Sequence, residues 1–135
     1  MDAMTTMPTE IVLLGWSVVL LLVQLALQGA AGVGEFGPTY AFSPRDAGHQ
    51  VKSLYGARVS RAFYNLLETY PVFVALALAL AVTGQTGGLG ATGAQIWFWA
   101  RIVYVPLYAF GIPYIRTLVW TVSAIGLVMM LIALL

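Results

Sequence analysis

Apolar residues run through this chain in long blocks separated by short polar or glycine-rich interruptions, and the blocks predict its elements. Ile11 to Leu27 is broken only by Gly15, Ser17 and Gln24. A helix rises about 1.5 Å per residue and needs roughly 20 apolar residues to cross a bilayer. The block therefore reads as a transmembrane helix over about 11–28, stopped by Gly29, Gly32 and Gly34. Gln24 and Gln28, four apart, share one face and point toward other protein. Residues 29–52 form the longest connection and hold Glu35, Arg45, Asp46, His49 and Lys52. Ser43-Pro44 suits the start of a short helical turn.

A second helix is expected over about 53–82, polar in its first half and apolar in its second. Pro71 falls where the halves meet and predicts a kink there. Ala75, Ala77, Ala79 and Ala81 alternate with larger residues as a strand would. A lone strand cannot satisfy its backbone in lipid, so the helix is the better reading. The pairs Ala75/Ala79 and Ala77/Ala81 then become small-residue packing surfaces. Gly88-Leu89-Gly90-Ala91-Thr92-Gly93 has the spacing of a dinucleotide-binding loop. An apolar helix precedes it and no acidic residue follows, so it reads as the tight turn between two membrane helices. A third helix over about 94–110 ends at Gly111-Ile112-Pro113, and a fourth spans about 114–134. Four apolar blocks predict an all-α integral membrane protein, a four-transmembrane-helix bundle in one domain over 1–135.

Composition agrees. Hydrophobic residues make up 61% of the chain and charged ones 8%, outside the range of soluble domains. Asp2 and Glu10 give the lead an acidic character, and the apolar core is long for a cleaved signal, so the first helix is expected to be retained. Arg45, Lys52, Arg58, Arg61 and Arg116 all fall at one end of a four-helix layout. The positive-inside rule makes that end cytoplasmic and puts both termini outside. A net charge of +1 without a basic aromatic cluster gives no reason to expect nucleic acid. There is no cysteine, which excludes disulfides, thiolate metal ligands and cysteine nucleophiles. His49, the single histidine, builds neither a metal site nor a catalytic triad alone, so no metal is expected. Any thiol chemistry must use a thiol that the substrate brings.

The candidate chemistry sits in the second helix. Arg58, Arg61, Asn65 and Glu68 are spaced i, i+3, i+7 and i+10, within an arc of roughly 80°. Such a stripe cannot face lipid, because an ionised group in hydrocarbon costs several kcal/mol. The third helix carries Arg101, Tyr104 and Tyr108 on one face, and Arg116 and Thr117 open the fourth. Guanidiniums bind carboxylates in a two-pronged way. Together with one carboxylate, an amide and two phenols, they suit a small zwitterion with several carboxylates, of which glutathione is an example. Other roles fit the same residues. Arg58 suits an interfacial anchor, Arg101 with Glu68 a register-fixing pair, and the tyrosines simple packing.

Two runs carry a resemblance: Arg58-Val-Ser-Arg61-Ala-Phe-Tyr-Asn65-Leu-Leu-Glu68-Thr-Tyr-Pro71-Val-Phe73, and Ala100-Arg101-Ile-Val-Tyr104-Val-Pro-Leu-Tyr108 followed by Gly111-Ile-Pro113-Tyr-Ile-Arg116-Thr117. They resemble the signature of the MAPEG family, membrane-associated proteins of eicosanoid and glutathione metabolism, over about residues 50–120. The short loops are similar to those of bacterial members, which would put the chain in the inner (plasma) membrane. The resemblance implies a homotrimer of four-helix subunits in membrane lipid, with glutathione as co-substrate between neighbouring subunits near the cytoplasmic face. It implies a detoxifying transferase or peroxidase acting on lipophilic small molecules. Arg61, Asn65, Glu68, Tyr104 and Tyr108 would bind glutathione, and Arg58 and Arg101 stand at motif positions that would bind it with them or support the structure. Arg116 would activate the thiol. Two positions depart from the eicosanoid-forming members: Gly29-Ala30-Ala31-Gly32 lacks basic residues, and Thr69 stands where the family has tyrosine. A non-catalytic protein binding a lipid headgroup or another small anion is the alternative.

Overall fold

The computed structural model describes residues 6–39 and 54–135. Among the described residues, four long α-helices make up the fold: α1 Thr9–Phe36, α2 Leu54–Val82, α3 Gly88–Ala109 and α4 Pro113–Leu134. Arg45, His49, Lys52 and the expected turn at Ser43-Pro44 lie outside the described residues. Cross-helix contacts show that neighbours run antiparallel. Ser17 meets Tyr70, Asn65 meets Arg101, and Gly93 meets Gly126. Residues 36, 54 and 109–113 therefore share one end of the bundle, and residues 9, 82–88 and 134 the other.

Two helix ends differ from expectation. Gly29, Gly32 and Gly34 do not stop α1, which continues to Phe36 and ends at Gly37, whose N–H bonds to Val33 O at 2.8 Å. Glycine breaks helices in water, where the exposed backbone finds other partners. In hydrocarbon an unmade backbone hydrogen bond is costly, and the helix continues. The expected turn at Gly88–Gly93 is instead the first part of α3, and the connection is Thr83 to Gly87. Two of its glycines serve packing, whereas Gly88 has open space around it and a φ of +52°. A Cβ at Gly90 would lie 2.9 Å from the Glu10 carboxylate, and one at Gly93 would lie 2.5 Å from Gly126 O. The same glycine spacing thus reflects two close approaches.

Among the described residues, three helices are long and apolar enough to cross a membrane: Thr9–Phe36, Gly56–Val82 and Pro113–Leu134. The sequence suggests four. The exception is α3, which holds Arg101, Gln95 and three glycines. It touches all three other helices and buries eight residues from Gly90 to Tyr104. Neighbouring helices shield it, so its polarity costs less than it would against lipid.

The core is built on α2 and α3. Leu66, Phe73, Ala77 and Leu80 face Ala94, Trp97 and Phe98, with Leu127 and Met130 closing from α4 and Leu13 from α1. Phe73 and Trp97 stack with centroids 3.9 Å apart and planes 9° apart. Tyr70 lies 6.1 Å from the Trp97 ring and within 2.9 Å of Ser17 Oγ. Ser17 donates to Leu14 O at 2.6 Å, so it accepts from the tyrosine. The inner face of α1 is unexpectedly polar, burying Glu10, Ser17 and Gln24 at seven-residue spacing. Glu10 is fully buried, and its Oε2 accepts from Gly87 N–H at 2.9 Å, just ahead of α3. That carboxylate satisfies one of the free amides at a helix start and sits at the positive end of its dipole.

Candidate functional site

The α2 stripe splits by depth. Arg61 and Glu68 are exposed, while Arg58 and Asn65 are half-buried. Arg101, at the matching level of α3, is 1% exposed and donates from Nη1 to Asn65 Oδ1 at 2.8 Å. Sequence spacing suggests Glu68 as its partner. The structure gives it the neutral amide instead, and among the described residues no ion pair joins Arg101 to Glu68. Arg101 Cζ also lies 4.4 Å above the Tyr104 ring, a cation–π contact worth about 2 kcal/mol when desolvated. Its Nε and Nη2 are buried with no partner.

Tyr104 and Tyr108, four apart on α3, meet edge to face with centroids 5.5 Å apart. Tyr108 is the junction. Arg116 Cζ from α4 lies 4.6 Å from its ring centroid, and Arg61 Cζ from α2 lies 5.8 Å from it. A pocket of about 270 Å³ opens here, lined by Asn65, Tyr104, Tyr108, Arg116, Thr117 and Trp120. The three helices therefore each contribute a wall.

Four of the sequence candidates line the pocket: Asn65, Tyr104, Tyr108 and Arg116. Arg101 adjoins it through Asn65 and Tyr104, and Arg61 through Tyr108. Arg58 and Glu68 are not among its walls. Arg58 turns to the end of α3 and donates from Nη1 to Ala109 O at 3.2 Å. Trp120 is the wall that sequence reasoning passed over; it follows Arg116 by four residues and so shares its helix face.

Arg61, Arg101 and Arg116 converge on this region, and among the described residues none of them has a carboxylate partner. Guanidiniums stacked on aromatic rings and outside ion-pair distance of any described carboxylate favour an anionic ligand. The pocket is at the small end of ligand cavities, which run from roughly 300 Å³ upward.

Among known families, the model of the MAPEG family matches residues 13–135, so the match takes in all four helices. No curated protein matches the chain, and no solved structure matches it.

Proposed function

The chain belongs to the MAPEG family, and from that premise we propose that it is a glutathione-dependent transferase, with peroxidase activity as the companion reaction. The family supports a membrane protein of glutathione-related transferase, peroxidase or related function in general terms. The observation that carries the finer reading is the pocket at Tyr108, where Arg61 and Arg116 meet one phenol ring from two helices.

The residues suit glutathione. One of its carboxylates matches the exposed guanidinium of Arg61, while Arg101 is buried and supports the site from behind Asn65 and Tyr104. Its ammonium matches Glu68, which is exposed and without an ion pair among the described residues. Part of the ligand then lies outside the pocket walls of one subunit. That agrees with a homotrimer in which a neighbour covers the α2 stripe, and with a site at the cytoplasmic end.

Arg116 is assigned to the thiol. An unperturbed thiol has a pKa of about 8.5 and is mostly protonated at neutral pH, and only the thiolate is a good nucleophile. A fixed guanidinium in a site screened from water favours the thiolate, and each tenfold gain in ionisation takes about 1.4 kcal/mol of that attraction. The first turn of α4 adds the positive end of its dipole, a smaller effect of roughly 0.3–1 kcal/mol. In conjugation the thiolate sulfur forms a bond to an electrophilic carbon, and the displaced group leaves with the bonding pair. Lipophilic acceptors reach the site from the bilayer. Trp120 and Thr117 form the wall beside Arg116 that such an acceptor would meet.

Thermal melting of the purified protein with and without glutathione tests binding. At one hundred times Kd the ligand should stabilise the fold by about 2.7 kcal/mol. Titration of the thiolate ultraviolet band tests chemistry. In wild type the bound thiol should ionise below its solution pKa, so that thiolate is present above that lowered value and lost as pH falls through it. Arg116→Ala should return the transition toward the solution value while glutathione still binds. Stabilisation by anionic lipid headgroups but not by glutathione would favour the non-catalytic reading instead.

A further inference from the structure

Arg58 lies in the family-like stripe but not in the pocket walls, and its surroundings assign it a different task. Helix α3 ends in a Schellman-type cap: Phe110 N–H bonds to Pro106 O at 2.9 Å, Ile112 N–H to Leu107 O at 3.1 Å, and Gly111 N–H to Tyr108 O at 3.0 Å. Of the last four carbonyls, only Ala109 O is left, and Arg58 Nη1 supplies its bond at 3.2 Å. The guanidinium also sits at the negative end of the α3 dipole.

Gly111 completes the fixture. Its φ is +72°, a conformation that side chains rarely adopt. A Cβ there would lie 2.7 Å from Arg58 Cζ and Nη2. The flat guanidinium therefore fills the space that the missing side chain leaves, and α2 grips the α3–α4 turn from carbonyl and glycine together. Pro113, at the start of α4, stiffens the link, and Arg116 follows three residues later in the first turn. The close contact of Gly93 with Gly126 lies about 24 Å back along α3, too far to orient this end.

Resting on the reading that Arg116 serves a bound thiol, we propose that Arg58 is a positioning residue that fixes the α3–α4 turn and thereby sets where the Arg116 guanidinium stands in the pocket. Arg58 acts through Arg116 and does not touch the ligand. A misplacement of about 1 Å in such a group can cost a hundredfold in rate, so the anchoring matters even though Arg58 is remote from the reacting sulfur.

The test is the thiolate titration of bound glutathione, together with glutathione Kd, in wild type, Arg58→Ala, Arg58→Lys and Arg58→Ala combined with Arg116→Ala. The expected result for Arg58→Ala is a titration midpoint about one pH unit higher, a roughly tenfold fall in the ionisation constant of the bound thiol, with Kd changed much less. Arg58→Lys keeps a charge without the flat fork and should move the midpoint in the same direction by less, which gives a readout if the alanine variant does not fold. Without Arg116 the titration should no longer respond to residue 58. A wild-type thiolate band that neither Arg58 variant moves overturns this inference alone. So does a displacement of equal size that persists without Arg116, or a loss of glutathione affinity with the titration unmoved. A wild type that shows no thiolate band sinks the glutathione reading, and this inference with it.

Discussion

Arg101 is the residue on which charge and position part company. Charge alone pairs it with Glu68, yet its hydrogen bond goes to Asn65, one turn nearer the helix end. The spacing made both residues available on one face, but spacing does not say which of two neighbours the guanidinium reaches. Opposite consequences follow for substitution. Asn65→Leu removes the one hydrogen-bond acceptor Arg101 has among the described residues and should cost about 1.5–3 kcal/mol, the worth of a bond to a charged group. Glu68→Gln should leave the stability of the ligand-free protein within about 0.5 kcal/mol, as exposed substitutions usually do. The same change should weaken glutathione binding. Melting curves with and without glutathione separate the two. A large loss of ligand-free stability in Glu68→Gln would show that the carboxylate supports the bundle.

Among the elements, the helices were legible and their ends were not. Long apolar blocks have one solution in lipid, and α2, α3 and α4 begin or end within a few residues of the places that polarity and glycine suggest, except at Gly88–Gly93. Glycine was the ambiguous letter. At Gly111 it ends a helix, at Gly29 and Gly32 it does not, and at Gly90 and Gly93 it lets another element come close. A single sequence cannot separate these, because the deciding atoms belong to Glu10 and Gly126, distant in the chain. The contrast is measurable. Gly93→Ala and Gly126→Ala should each destabilise by about 1–3 kcal/mol or more through overpacking. Gly15→Ala, with nothing within 4 Å of the new methyl, should be neutral or slightly stabilising. Glu10→Ala should cost about 1–2 kcal/mol by removing the cap on Gly87 N–H. Thermal or denaturant unfolding in detergent gives all four values, and equal losses at Gly15 and Gly93 would contradict the packing account.

For the whole molecule, the exposed part of α2 is the unfinished surface. Arg61, Tyr64 and Glu68 all face outward on a helix long and apolar enough to cross a bilayer. Ionised groups facing lipid cost several kcal/mol, so we expect copies of the chain to cover them. Native mass spectrometry in mild detergent should report a trimer, and a monomer that stays stable and folded would refute this. The helix content and the polar stripe could be read from spacing. The pocket could not, because its walls come from three helices that only the fold brings together, at the end away from the contact of Gly93 with Gly126. The contact has a consequence for traffic through the site. Helices α3 and α4 are joined by the turn at one end and held tight where Gly93 meets Gly126, so between these two points they form a closed loop. A loop pinned twice spreads less readily than α2 moves away from it. On the reading proposed above, a ligand would therefore exchange along the outward face of α2 that carries Tyr64 and Leu67.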